Sequence, residues 1–231
     1  MYILDKNVWR EKMDYQDTII FILEIIGTIA FAASGAMVGV KQKMDVLGVC
    51  VLGVITAVGG GMTRDVVLGE SIPGVFTNPI YALVATVTSC IVFFMLYFKK
   101  SLVKVLYSAA YEKMMLIMDS VGLGIFTVVG VNTGIKFGYQ EDAFLLVFLG
   151  TITGVGGGLL RDVMAGVPPY IFVRHVYACA SIVGAIVCVW VQEPLGKTAA
   201  MLLGAVTVVL IRYLAAHYHW NLPKVCLDEM E

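Results

Sequence analysis

The chain has 231 residues, of which 59% are hydrophobic and 14% charged, with a formal net charge of −1 and a mean hydropathy of +0.88. Soluble domains carry about 25% charged residues, and a water-soluble fold of this size has too little core to hide so much apolar side chain. The balanced charge also excludes a nucleic-acid partner, which needs a basic face. Membrane lipid is the partner this composition fits.

The N-terminal segment 1–17 mixes Lys6, Arg10 and Lys12 with Asp5, Glu11, Asp14 and Asp17. It is therefore not the simple basic leader of a signal peptide. Seven apolar runs follow at 18–40, 46–68, 78–98, 114–135, 143–165, 173–192 and 197–216, each close to the length of about 20 residues that a helical span requires. The third run carries no charge from Ile72 to Phe98, whereas Arg212 interrupts the seventh near its end. The expected class is an all-α polytopic membrane protein. Its first three helices occupy 18–98, a cytoplasmic linker 99–113, the next three helices 114–192, a seventh helix 193–216 and a C-terminal tail 217–231.

With seven spans the termini lie on opposite sides. Lys41, Lys43, Lys99, Lys100, Lys104, Lys113, Arg174, Arg212 and Lys224 fall on one side, and Lys6, Arg10, Lys12, Lys136 and Lys197 on the other. The excess of positive charge predicts the first side as cytoplasmic, with the N-terminus outside and the C-terminus inside.

The chain is duplicated. GVITAVGGGMTRDVVLG (Gly53 to Gly69) and GTITGVGGGLLRDVMAG (Gly150 to Gly166) share 11 of 17 positions at an offset of 97. In the preceding helices, Gly27, Phe31, Gly35, Gly39 and Lys41 match Gly122, Phe126, Gly130, Gly134 and Lys136 at an offset of 95. In the third helices, Pro73, Phe76 and Tyr81 match Pro169, Phe172 and Tyr177 at an offset of 96. Each unit has an odd number of spans, so the second enters the membrane from the opposite side. The duplication is expected to be an inverted repeat, an architecture typical of transporters and some channels.

Two glycine triplets, Gly59–Gly60–Gly61 and Gly156–Gly157–Gly158, sit in the second and fifth spans. Glycine costs about 1 kcal/mol per residue in a helix relative to alanine, so each triplet is expected to break its helix and free backbone groups for a permeating solute. The alternative is close helix packing, which Gly35/Gly39 and Gly130/Gly134 already suggest. Arg64–Asp65 and Arg161–Asp162 follow the triplets. Adjacent residues of a helix do not face each other, so each arginine is expected to find a partner other than its neighbour, or to snorkel to the nearer surface. The reading for these pairs is a structural or gating ion pair.

Glu24 and Asp119 correspond at the offset of 95. Either they sit near an interface, or they face a wet path and neutralise Arg64 and Arg161. Counted with Asp65 and Asp162, they leave an excess of two carboxylates, which favours cations over anions. Ser34 and Asn132 are candidates to line the path or to bridge helices. Cys50, Cys90, Cys179 and Cys188 read as small hydrophobes in apolar runs, and with Cys226 they form no disulfide framework. His175, His217 and His219 have no metal-ligand spacing. No hydrolytic or redox constellation and no P-loop occurs, so no catalytic residue, metal ligand or cofactor is assigned.

The GGGMTRD and GGGLLRD blocks, with GTIAFAASG ahead of the first, resemble a bacterial duplicated-domain membrane family, also called the glycine-transporter-domain family. It is similar in architecture to the trimeric intracellular cation channels. The resemblance covers nearly all of 17–192. It implies seven helices, a homotrimer in the bacterial inner membrane and one pore per subunit, with the glycine motifs kinking the second and fifth helices around the path. The second copy departs from the first where GIFTVVG replaces IAFAASG, so that Val129 stands in place of Ser34. The basic lipid-binding motif of the animal channels has no equivalent here. Two functions follow as expectations: a monovalent-cation channel, for potassium, or a secondary transporter of glycine or another small zwitterionic amino acid.

Overall fold

The computed structural model describes residues 15–99, 108–173 and 176–220. Expectations for residues 1–14, for most of the linker, for Arg174 and His175, and for the tail with Lys224 and Cys226 lie outside the described residues. The helices in chain order are α1 (Tyr15–Lys41), α2 (Val46–Val67), α3 (Gly74–Thr77), α4 (Ile80–Phe98), α5 (Ala109–Lys136), α6 (Ala143–Met164), α7 (Tyr170–Val173), α8 (Tyr177–Leu195) and α9 (Lys197–His217). Seven of them, all but the single turns α3 and α7, are long and apolar enough to cross a membrane. No strand occurs among the described residues.

The fourth span begins earlier than its apolar run suggests, drawing 109–113 out of the expected linker. Tyr111 and Met115 are buried against Met37, Val38 and Leu52, so tertiary packing holds the first turn although Glu112 and Lys113 are polar.

The two halves repeat the same local devices. Asp45 caps α2 by accepting from the Gly48 N–H (2.7 Å), and Asp142 caps α6 by accepting from the Leu145 N–H (3.0 Å). Gly69 and Gly166 end those helices at φ +78° and +66°, the left-handed conformation that costs glycine little. Gly35 and Gly130 let α1 cross α2 and α5 cross α6. A Cβ on either would stand 2.5 Å from a threonine hydroxyl, that of Thr56 or Thr153 respectively.

The inversion is visible where α2 meets α6. A Cβ on Gly60 would strike the carbonyl oxygen of Thr153, and one on Gly157 would strike that of Thr56. Thr56 and Thr153 are themselves equivalents at the offset of 97. The partners run in opposite order along the two helices, so the crossing is antiparallel and the pseudo-two-fold axis passes between Gly60 and Gly157.

The expected helix breaks do not form. Both triplets lie inside uninterrupted α-helix. The propensity cost of glycine is offset by an approach so close that no larger residue fits at the crossing, as small residues allow in apolar surroundings where tight packing drives association. Outward, the chain is apolar: Leu83, Val87, Ile91, Phe94 and Phe98 make an exposed stripe along α4. Such a face suits lipid and not water.

Candidate functional site: two Arg–Asp ends, one open and one closed

Each arginine pairs with its own neighbour, contrary to the expectation from helix geometry, while Arg161 also finds the expected partners beyond it, Asp119 and, across the repeats, Ser34. Arg64 donates to Asp65 Oδ1 from Nε (2.9 Å) and Nη2 (2.7 Å), and Arg161 Nε donates to Asp162 Oδ1 at 2.8 Å. The second oxygen explains the fixed Asp. Asp65 Oδ2 accepts the Gly74 N–H (2.8 Å), and Asp162 Oδ2 accepts the Tyr170 N–H (2.9 Å). Each carboxylate thus ties the end of a spanning helix to the first turn of the short helix that follows. The long guanidinium arm folds back along the helix end, which the rule for side chains spaced by one residue does not anticipate.

Beyond this shared device the halves diverge. Arg161 is 0% exposed and does not snorkel. Its Nη1 donates to Asp119 Oδ1 at 2.6 Å and to Ser34 Oγ from the other repeat. The Tyr170 ring lies 5.4 Å from the guanidinium carbon. Arg212 of α9, also buried, places its guanidinium 4.7 Å from the centre of the Tyr177 ring. An uncompensated charge at this depth costs roughly 2.5–3.5 kcal/mol on insertion scales; here Arg161 is paired with both Asp119 and Asp162, although Asp119 Oδ2, Arg161 Nη2 and the Tyr177 hydroxyl have no hydrogen-bond partner among the described residues, and the cluster is a closed plug.

At the equivalent place in the first half the plug is replaced by a cavity of about 220 Å³ lined by Glu24, Thr28, Arg64, Asp65, Gly74 and Tyr81, among others. Three substitutions between the repeats account for it. Gly74 stands where Tyr170 covers Arg161, Val129 stands where Ser34 would bond the guanidinium, and Thr28 replaces Leu123. Glu24 accepts from the Tyr81 hydroxyl and makes no hydrogen bond to Arg64. Thr28 is buried, and its Oγ1 has no hydrogen-bond partner among the described residues. The space has room for several waters, with polar groups to hold them.

A second cavity, of about 260 Å³, lies on the far side of the plug against Lys41, Gln42, Tyr111, Asp162 and Tyr170. The Lys41 ammonium sits 4.1 Å from the centre of the Tyr111 ring. Since α2 and α6 are antiparallel, the two cavities open toward opposite membrane faces. Between them lie the Gly60–Gly157 crossing, the Phe31 and Phe126 rings with centroids 5.3 Å apart, and the Arg161 cluster.

The sequence-derived residues therefore separate into groups. Glu24, Gly61, Arg64 and Asp65 line the first cavity. Ser34, Asp119, Arg161 and Asp162 form the plug, and Gly158 lies beside it, a Cβ there standing 2.8 Å from the Tyr177 hydroxyl. Gly60, Gly156 and Gly157 are at the crossing, while Gly59 packs on Leu160. Asn132 is buried on α5 and lines neither cavity. Sequence reading missed Arg212, Tyr81, Tyr170 and Tyr177 as members of these sites. The tyrosine pair at the offset of 96 was an available signal. Among the described residues no group of His, Cys, Asp and Glu is arranged to hold a metal ion.

Seven apolar spans, an inverted duplication and ionised side chains held at membrane depth define a polytopic membrane protein built like transporters and channels. The family described as "Glycine transporter" matches the chain twice, over residues 21–97 and 116–193. The chain belongs to this family, whose curated relatives include the UPF0126 inner membrane protein YadS of Escherichia coli K12. That relative is 38% identical over 214 residues, which make up 91% of this chain and 98% of the relative. Among solved structures, the TRIC trimeric intracellular cation channel orthologue from Rhodobacter sphaeroides superposes with a TM-score of 0.77 at 28% identity. The match covers 88% of this chain and all of that one. A prokaryotic TRIC channel crystallised in 0.5 M KCl gives 0.77 at 29% identity, over 89% of this chain and 99% of that one. None of these proteins is described as an enzyme.

Proposed function

We propose that the protein is a monovalent-cation channel, carrying potassium, with one path in each subunit of a homotrimer. The path joins the two cavities along α2 and α6, and the structure is its closed state. The observation that carries this reading is the pair of cavities at opposite membrane faces, each with charged side chains in its lining and set against an Arg–Asp helix end, with the Arg161 plug between them. The similarity to TRIC cation channels across most of the chain supports it. The first cavity is lined by Glu24 and Asp65 against the single cation Arg64, an excess of one carboxylate, and that sign favours cations. Opening requires Arg161 to leave Asp119 and Ser34. In this reading the glycine triplets are a thin, backbone-walled crossing and not a coordination site.

The inner-membrane name of YadS supports placement in a bacterial inner membrane, and the lysine and arginine distribution supports an external N-terminus and a cytoplasmic C-terminus. A second reading rests on Glu24 and Arg64 facing one small cavity, an arrangement that also suits the ammonium and carboxylate of glycine. Proteoliposomes loaded with a potassium-sensitive dye and, separately, unloaded ones supplied with external labelled glycine distinguish the two. Potassium flux that does not saturate supports the channel, and saturable glycine uptake without potassium flux supports the transporter.

A further inference from the structure

Cys50 on α2 and Cys90 on α4 bring their sulfurs to 3.3 Å, 40 residues apart in sequence. The approach is set by the backbone. Gly53, one turn beyond Cys50, lacks the Cβ that would stand 3.1 Å from the Ser89 Cβ, so α2 and α4 cross tightly beside the thiols. Packing alone does not call for sulfur there. In the second repeat the equivalent positions are Val147 and Ile186, at the offsets of 97 and 96, and the same crossing is made with branched hydrophobes. Both cysteines are only partly buried. Cys90 lies on the outer face of α4 beside Thr86, Val87, Ile91 and Phe94, an apolar surface that ends at Lys99.

We infer that Cys50 and Cys90 are a membrane-embedded dithiol that a lipid-soluble two-electron oxidant of the quinone class converts to a disulfide. Both S–H bonds break and one Sγ–Sγ bond forms. The quinone takes up the two electrons and two protons and leaves as hydroquinone. The sulfurs must close from 3.3 Å to about 2.05 Å, a displacement within reach of side-chain rotation and a small helix shift. Both thiols lie within apolar spans, where a hydrophobic ring partitions and a charged, water-borne oxidant does not, which selects the class of reagent. The bond would staple α2, which carries Gly59–Gly61 and Arg64, to the outermost helix of its repeat. The pair lies apart from the proposed path, and the inference stands whether or not that path conducts.

The test uses the full chain in liposomes, treated with a short-chain ubiquinone or with oxidised glutathione, digested without reduction and analysed by mass spectrometry. The expected result is a peptide pair joined through Cys50 and Cys90, lighter by two hydrogens, formed with the quinone and not with glutathione. It should be lost in Cys50→Val and in Cys90→Ile, which borrow the residues of the second repeat. Should one of these variants misfold, Cys90→Ser serves in its place. The inference is overturned if both thiols still react with a hydrophobic maleimide after quinone treatment. It is equally overturned if Cys90 links to a second copy of itself, or if glutathione joins the pair as readily as the quinone.

Discussion

The Arg161 guanidinium and the Asp119 carboxylate meet at 2.6 Å with neither side chain exposed. They stand on α6 and α5, and Ser34 joins them from α1 of the other repeat, so one arginine fastens both halves of the duplication. Removing one partner from a buried ion pair strands the other charge, at about 3–5 kcal/mol. Arg161 serves both Asp119 and Asp162, so Arg161→Ala strands two carboxylates and should lower thermal stability in detergent sharply. The double variant Arg161→Ala/Asp119→Ala strands only Asp162 and should be more stable than Arg161→Ala alone. If the second change adds to the damage of the first, the two residues are not coupled as the geometry requires.

Gly60 and Gly61 are neighbours with opposite expectations. A Cβ on Gly60 would run into the Thr153 backbone, whereas on Gly61 the nearest atom is the flexible end of Arg64, 3.7 Å away. Gly60→Ala should cost about 1–3 kcal/mol, the range for overpacking a filled site, and Gly61→Ala should be neutral or slightly stabilising. Paired thermal-unfolding curves in one detergent decide this. Equal effects would mean that α2 and α6 do not cross at Gly60.

The open half can be tested by making it resemble the closed one. Gly74→Tyr places a ring where Tyr170 covers Arg161, and its Cβ would make only ordinary contact, 3.5 Å from Asp65 Oδ2. Potassium flux should fall several-fold while thermal stability is kept. Unchanged flux would remove the first cavity from the path.

Glu24 is the carboxylate of the first cavity that has no arginine bonded to it. Glu24→Gln should weaken preference for cations, moving the reversal potential under a potassium chloride gradient toward zero. No movement would place ion selection elsewhere.

Much of the fold could be read from the chain, because hydropathy marks the spans and identities at a fixed offset mark the duplication. The odd span count then made the repeat inverted, as the Thr56–Gly157 and Gly60–Thr153 approaches show. The helix breaks were misread because propensity weighs one residue at a time, while the tight crossing of two helices decides what the triplets do. The Arg–Asp pairs were legible in part: Arg161 does find Asp119 and Ser34 beyond its neighbour, but the spacing rule considers side chains facing each other, not an arginine folded back to a carboxylate that also holds the Gly74 or Tyr170 N–H. Arg212 stood out only as an interruption of the seventh span and not as a site residue, because that helix has no second copy against which to compare it. The contrast between the halves was half visible, since the loss of Ser34 at Val129 was plain in the alignment. Which arginine that serine serves is a matter of tertiary structure.

The most direct measurement is single-channel recording of the purified protein in planar bilayers, with potassium chloride in unequal concentrations on the two sides. The account predicts discrete current steps reversing near the potassium equilibrium potential, with a higher open probability in Ser34→Val, which removes one bond from the Arg161 plug. Silent bilayers at every voltage, from protein that takes up glycine saturably in liposomes, would contradict it.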